Sequence, residues 1–291
     1  MIGTVSHSKH RQRRAPLKKF FSRASITRLE PLIQSAGDTL CSRLGDFQKE
    51  KQQVLINSGW SCFTNDVVSE YAFGKSYNYL ETSNDFHTDI HDTLCNKLPR
   101  WIMKMLDPKT LLFIDFQADI APQIKAIITG ANDTYDSVSH PTIFHEILNI
   151  SLPPEEKKLG RLWQEGQTVI GSGTETTAWA LPSQHSTSLP NLSIRHRLLQ
   201  ELKPLFDSTD GKPTFNQLKQ LQYLGGVISE GLRLSYGVTM HLQRVSPDTP
   251  IPCGIPRESQ STCPQSCSTK TPPSSPAPTP STPIASSTIR A

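Results

Sequence analysis

Apolar residues recur at three- and four-residue steps along ITRLEPLIQSAGDTLCSRLGDF, where Leu29, Leu32, Ile33, Ala36, Leu40, Leu44 and Phe47 form one stripe of a helix. Pro31 comes early enough to sit in the first turn, where its missing N–H costs nothing. SGWSCFTNDVVSEYAFG reads as a second helix, closed by Gly74 at the position where a left-handed residue ends a helix. NISLPPEEKK reads as a helix entry: Ser151 can cap, Pro153 and Pro154 suit a first turn, and Glu155 and Glu156 favour the positive end. The long helix expected after it runs through LGRLWQEGQTVIGSGTETTAWAL.

PSQHSTSLPNLSI interrupts this pattern. Pro182 and its turn-forming neighbours predict an abrupt stop. Helical periodicity resumes in RHRLLQELKPLF and again in FNQLKQLQYLGGVISEGLRLSYG. From about Pro247 to Ala291 the chain is Pro, Ser and Thr with almost no large apolar residue, and such a composition predicts disorder. No internal repeat is visible. The sequence therefore divides into a mainly helical part, 1–248, and a Pro/Ser/Thr-rich tail, 249–291, with an aberrant segment at 182–190.

Composition refines this picture only a little. At 291 residues and 35% hydrophobic content, the chain can bury one sizeable core or two small ones. Its formal net charge of +4 is mild, and much of it comes from Lys9 to Lys19. That stretch has no aromatic-interleaved basic surface, so nucleic acid is not an expected partner. Six cysteines lie far apart, which favours reduced thiols and, by default, a cytosolic compartment. The first ten residues hold no apolar run, and no segment is long and apolar enough to cross a bilayer.

Three local patterns carry chemistry. GSGTETT, Gly171 to Thr177, places small residues and paired hydroxyls inside an apolar helix. Glycines weaken the helix there, and Thr176 and Thr177 can bond backward to carbonyls of the preceding turn. Glu175 beside the pair then points to a distortion with room for a ligand; the alternative is a polar helix surface with a close-packing glycine. Glu230 and Arg233, at i and i+3, are neighbours on a helix face, an arrangement also found in ordinary exposed ion pairs. His10 and Arg14 lie one helical turn apart and can grip one anion, although a solvated basic face has the same spacing. Phe20 and Phe21 directly after them predict a helix docked on a core. Cys263 and Cys267 lack the second pair that a structural zinc site needs, so no metal is expected there.

Taken in order, HRQRRAPLKKFFS, DVVSEYAFGKSY, LWQEGQTVIGSGTETTAWAL, QYLGGVISEGLRLSYGVT and LQRVSP resemble consecutive landmarks of the fungal haem-thiolate monooxygenases, the cytochrome P-450 family. The resemblance covers most of Gly3 to Asp248. It implies a mainly α fold: a partial cytochrome P-450 helix bundle with minor β, lacking the family's N-terminal part and its C-terminal haem-cysteine region. It implies haem as cofactor, a small apolar substrate and an NADPH-cytochrome reductase as electron donor. Glu175 and Thr176 match the acid–alcohol pair that delivers protons to iron-bound dioxygen. Gly173 matches the small residue beside the oxygen site. His10 and Arg14, with Arg244 as a further partner, match positions that bind the haem propionates. Glu230 and Arg233 match a buried structural ion pair, and GVTMHLQRV matches the strand lining the substrate pocket. The family usually sits at the endoplasmic reticulum membrane, whereas no anchor is present in these residues.

One element of the resemblance is missing. The family's thiolate ligand lies in a loop reading Phe-x-x-Gly-x-Arg-x-Cys-x-Gly, and none of the six cysteines has that setting; Cys253 is followed by Gly254 but lacks the residues before it. The thiolate pushes electron density onto iron, so catalysis by these residues is not expected. Read one nucleotide earlier, degenerate codons for Lys270 to Ser287 permit DPSIFPSPHTFDPYRFI, and those for Pro182 to Pro190 permit SVTTFHLLT. Both are natural family continuations, which predicts that the two stretches are translated out of frame. A non-catalytic helical fragment acting as a binding or regulatory partner, or a pseudogene product, is the alternative to an enzyme.

Overall fold

The computed structural model describes residues 4, 6–83, 86, 120–132, 134–236, 241–245 and 260–264, the two strands by backbone alone. Its N-terminal helices are α1 (His7–Lys18), α2 (Arg23–Arg28), α3 (Glu30–Lys49), α4 (Ile56–Phe73) and the short α5 (Tyr79–Thr82). A helix α6 occupies 120–129, followed by α7 (Ile143–Asn149) and the 30-residue α8 (Leu159–Ser188). Then come α9 (Leu192–Ser208), α10 (Phe215–Lys219) and α11 (Gln222–Leu234). Strands β1 (His241–Val245) and β2 (Gln260–Pro264) pair antiparallel, with Arg244 opposite Ser261.

Helix α3 follows the predicted stripe, with Pro31 in its first turn and Leu40 and Phe47 buried. Helix α4 ends as expected at Gly74, whose φ of 73° is left-handed; a side chain there would also meet Thr134 Oγ1 at 3.0 Å. The main core joins α1, α4, α6, α7 and α8 and is anchored by Phe73 stacked on Phe144 at 5.3 Å between ring centroids. A smaller cluster gathers Leu40, Phe47, Cys62, Leu80 and Phe86 under α3 and α4. Asp66, buried on α4, accepts the amides of Tyr79 and Leu80 at 2.9 and 2.8 Å, and so starts α5 from a neighbouring helix. Burial pushes its carboxyl above the usual range, against the lowering effect of those two bonds.

Glycine sets how closely α8 approaches its neighbours. A Cβ on Gly166 would lie 2.7 Å from Ile120 Cγ2, and one on Gly173 would lie 2.9 Å from Val68 Cγ2. Thr174 completes the contact by donating to Asn65 Oδ1 at 3.1 Å.

Three expectations about elements need correction. Helix α8 does not stop at Pro182 but continues to Ser188 with the proline inside it. An interior proline costs about 3 kcal/mol, yet the segment beyond it is held by contacts that periodicity does not reveal. Trp60 Nε1 donates to His185 Nδ1 at 3.3 Å, Gln184 Nε2 donates to Val227 O at 3.1 Å, and the buried Ser188 hydroxyl donates back to Gln184 O. At the other end, Pro154–Lys157 forms a separate 3-10 turn, and α8 begins only at Leu159, because Glu156 turns inward to two arginines. The pattern read as one helix from Phe215 breaks at Gln220 and Leu221. There α10 ends, and α11 starts on the Glu201 carboxylate, which accepts the amides of Tyr223 and Leu224 at 3.0 and 2.8 Å.

Residues 260–264, inside the stretch expected to be disordered, form β2; backbone pairing needs no large apolar side chain. The rest of 249–291 lies outside the described residues, as do Cys95 and Cys253. Among the described residues no helix is long and apolar enough to cross a membrane.

Candidate functional site

The GSGTETT turn lies midway along α8, and its two faces have separate environments. Gly173 and Thr174 face α4, as described above. Glu175, Thr176 and Thr177 are exposed on another side, with Trp179, 61% exposed, one turn further on. The Thr176 hydroxyl donates to Ser172 O at 2.6 Å, the backward bond to the preceding turn that adjacent threonines allow. Gly173 thus provides close helix packing against Val68. On the exposed side, the carbonyl that partners Thr176 belongs to Ser172, four residues back in the preceding turn as expected.

Helix α11 packs against the C-terminal half of α8. Trp179 Nε1 donates to Ser235 O at 2.5 Å, and Gly231 is pressed against Gln184. Glu230 and Arg233 lie on α11 and form the expected pair, with Arg233 Nη2 2.5 Å from Glu230 Oε1. Their side chains are 56% and 55% exposed, so the pair stands on a solvated face rather than in a buried one. The hydrogen bonds hold the Glu230 carboxyl below, and the Arg233 guanidinium above, their ordinary values.

Helix α1 docks through Leu17 and the following Phe20, both buried, whereas Phe21 is exposed. His10 is half-buried and Arg14 exposed, and neither has a hydrogen-bond or ion-pair partner among the described residues. The basic residue that α1 commits to the fold is instead Arg13. Its guanidinium grips Glu156 at 2.9 Å, and Arg161, also 2.9 Å from Glu156, reaches Glu165 as well. Burial raises the Glu156 carboxyl, but hydrogen bonds from Arg13 and Arg161 outweigh it and hold the group below its ordinary value. The sequence reading missed this network, which joins residues 143 positions apart. Arg244 lies on β1, whose side chains are outside the described residues.

The structure therefore brings together the elements that carry the candidate residues, since α1 and α11 both bond to α8 or to the turn before it. It does not bring Glu175, Thr176, Arg14 and Arg233 into one enclosed cavity among the described residues. His10 and Arg14 offer unpaired donors suited to carboxylates, and Glu175 with Thr176 offers a proton-bearing pair; both suit a haem's propionates and its oxygen side. Of the cysteines whose side chains are described, Cys41 is exposed on α3 and the buried Cys62 donates to Phe86 O, so neither stands in a position suited to the iron.

Comparison with known proteins agrees with the order of these landmarks. The family model described as Cytochrome P450 matches residues 2–252. The chain is 35% identical over 275 residues to cytochrome P450 monooxygenase MO6277 of Ascocoryne sarcoides, covering 85% of this chain and 53% of that protein. It is likewise 35% identical to cytochrome P450 monooxygenase sdnE of Sordaria araneosa, covering 86% and 54%. To the N-acetyltryptophan 6-hydroxylase ivoC of Emericella nidulans it is 32% identical, covering 87% and 54%. The crystal structure of a cytochrome P450, CYP102L1, superposes with a TM-score of 0.68 at 16% identity, over 89% of this chain and 61% of that one. The chain thus spans about half the length of the curated relatives it matches. A partial fold of that type, the landmark motifs in family order and a family match over most of the sequence lead to one conclusion: this chain belongs to the cytochrome P450 family.

Proposed function

We propose that this chain carries the oxygen side and the propionate side of a haem monooxygenase site, and that its 291 residues alone do not complete that site. The observation that carries the reading is the two-sided turn on α8. Gly173 and Thr174 lock one side to α4, which leaves Glu175 and Thr176 presented together on a rigid helix. Haem, when bound, supplies the iron at which dioxygen is activated. Glu175 takes up protons from solvent through its exposed carboxylate. Thr176, whose hydroxyl proton is donated to Ser172 O, would with haem bound turn that proton toward the oxygen side. His10 and Arg14 hold the propionates, with Arg244 as a further partner. The Glu230–Arg233 pair, solvated on α11, contributes little to the stability of these residues. The substrate is a small apolar molecule, and a reductase supplies the electrons.

Without a cysteine in the family's loop setting, these residues give iron no thiolate. Purified protein mixed with haem, reduced and exposed to carbon monoxide is therefore expected to lack the thiolate-type Soret band; its appearance overturns the reading. Haem titration followed by tryptophan quenching tests the other half. Replacing both His10 and Arg14 by Ala weakens binding about tenfold if they hold the propionates, and equal binding refutes that role.

A further inference from the structure

A pocket of about 290 Å³ opens between α2 and the start of α7, away from the exposed side of α8. Its floor is aromatic: Phe20 and Tyr71 meet edge to face at 6.2 Å, and Tyr71 meets His140 likewise at 5.8 Å. Tyr71 is spent on structure, its hydroxyl donating to Phe20 O at 2.6 Å. His140 differs. It is only 5% exposed, yet neither ring nitrogen has a hydrogen-bond partner; the nearest carboxylate oxygen, on Glu70, lies 4.0 Å from Nε2. A buried ring with both polar atoms unpaired is costly unless something in the pocket bonds to it.

The rim supplies charge. Lys19 and Glu146 neutralise one another at 2.8 Å. Arg28 is exposed at the mouth and has no hydrogen-bond or ion-pair partner among the described residues, so it leaves the lining with one unspent positive charge. Ser22 and Ser25 stand beside it and bond to one another.

We infer that this pocket binds a small aromatic hydroxy acid, with the carboxylate on Arg28, the ring against Phe20 and Pro141, and the hydroxyl on His140 as the deep hydrogen-bonding partner. The volume lies near the lower end of ligand cavities, which suits a single-ring acid rather than a large substrate. 4-Hydroxybenzoate is a direct probe and 4-hydroxybenzamide its neutral counterpart. Titration of the full chain, read by NMR, is expected to give saturable 4-hydroxybenzoate binding that shifts the His140 ring protons. Arg28→Gln, at an exposed position that does not endanger the fold, weakens it about tenfold, while Arg195→Gln on distant α9 leaves it unchanged. 4-Hydroxybenzamide binding as tight as 4-hydroxybenzoate, unaltered affinity in Arg28→Gln, or a His140 ring that does not respond would each overturn the assignment.

Discussion

The two ends of α8 are built differently. The N-terminal end is enclosed: Leu162, Val169 and Ile170 are buried, Gly166 sits against Ile120, and Arg161 joins Arg13 and Glu156 in a charged network with side chains 8–19% exposed. The C-terminal end is one-sided. It is held to α4 and α11 by a few polar contacts while Glu175, Thr176 and Trp179 face outward. The enclosed end is organised for stability, and the open end keeps Glu175 and Thr176 accessible for the role proposed for them. An arginine–glutamate pair occurs at each end, and burial rather than sequence spacing separates their consequences.

The largest effect should come from Glu156→Ala, which leaves Arg13 and Arg161 without their shared partner. It is expected to cost about 3 kcal/mol in urea denaturation; a change near zero would show that the enclosed end does not depend on the network. Glycine contacts sharpen the contrast next. Gly166→Ala forces a methyl group against Ile120 and Ile124 and should destabilise by about 1–2 kcal/mol. Gly226→Ala, with nothing within 4 Å on exposed α11, should stabilise by up to about 1 kcal/mol.

The open end is predicted to be pH-sensitive. Burial lowers the His185 pKa from its ordinary 6.5, so the fold favours the neutral ring that accepts from Trp60. The contribution is present above pH 6.5 and is lost as pH falls through the lower folded value. Melting temperature should therefore decline more steeply below that point in the parent than in His185→Gln, and parallel curves would discount the contact. The smallest effect is expected for Glu230→Gln, whose exposed pair should leave the melting temperature unchanged; a large loss would mean that the pair is structural in the family's sense even while solvated.

The sequence revealed features whose cause is local. The stripe of α3, the tolerated Pro31 and the left-handed Gly74 each depend on residues within one or two turns, and each was legible. The extension past Pro182 was not, because the contacts that offset the proline come from Trp60 and Val227 on other helices. Glu156 shows the same limit: its position beside Glu155 fits a helix entry, and nothing nearby announces Arg13. At the site, the motif located Glu175, Thr176 and the Glu230–Arg233 pair along the chain, but which faces they occupy depended on the packing of α8 against α4 and α11.

The helix that carries Glu230 and Arg233 does not own its starting signal. Glu201, two helices earlier on α9, occupies the place of an N-terminal cap, and three amides of α11 lower its carboxyl. A segment that borrows its cap cannot be ordered in isolation, so α9 and α11 should form and melt as a single cooperative unit. Cutting the chain between them would cost the second helix its nucleus as well as a neighbour.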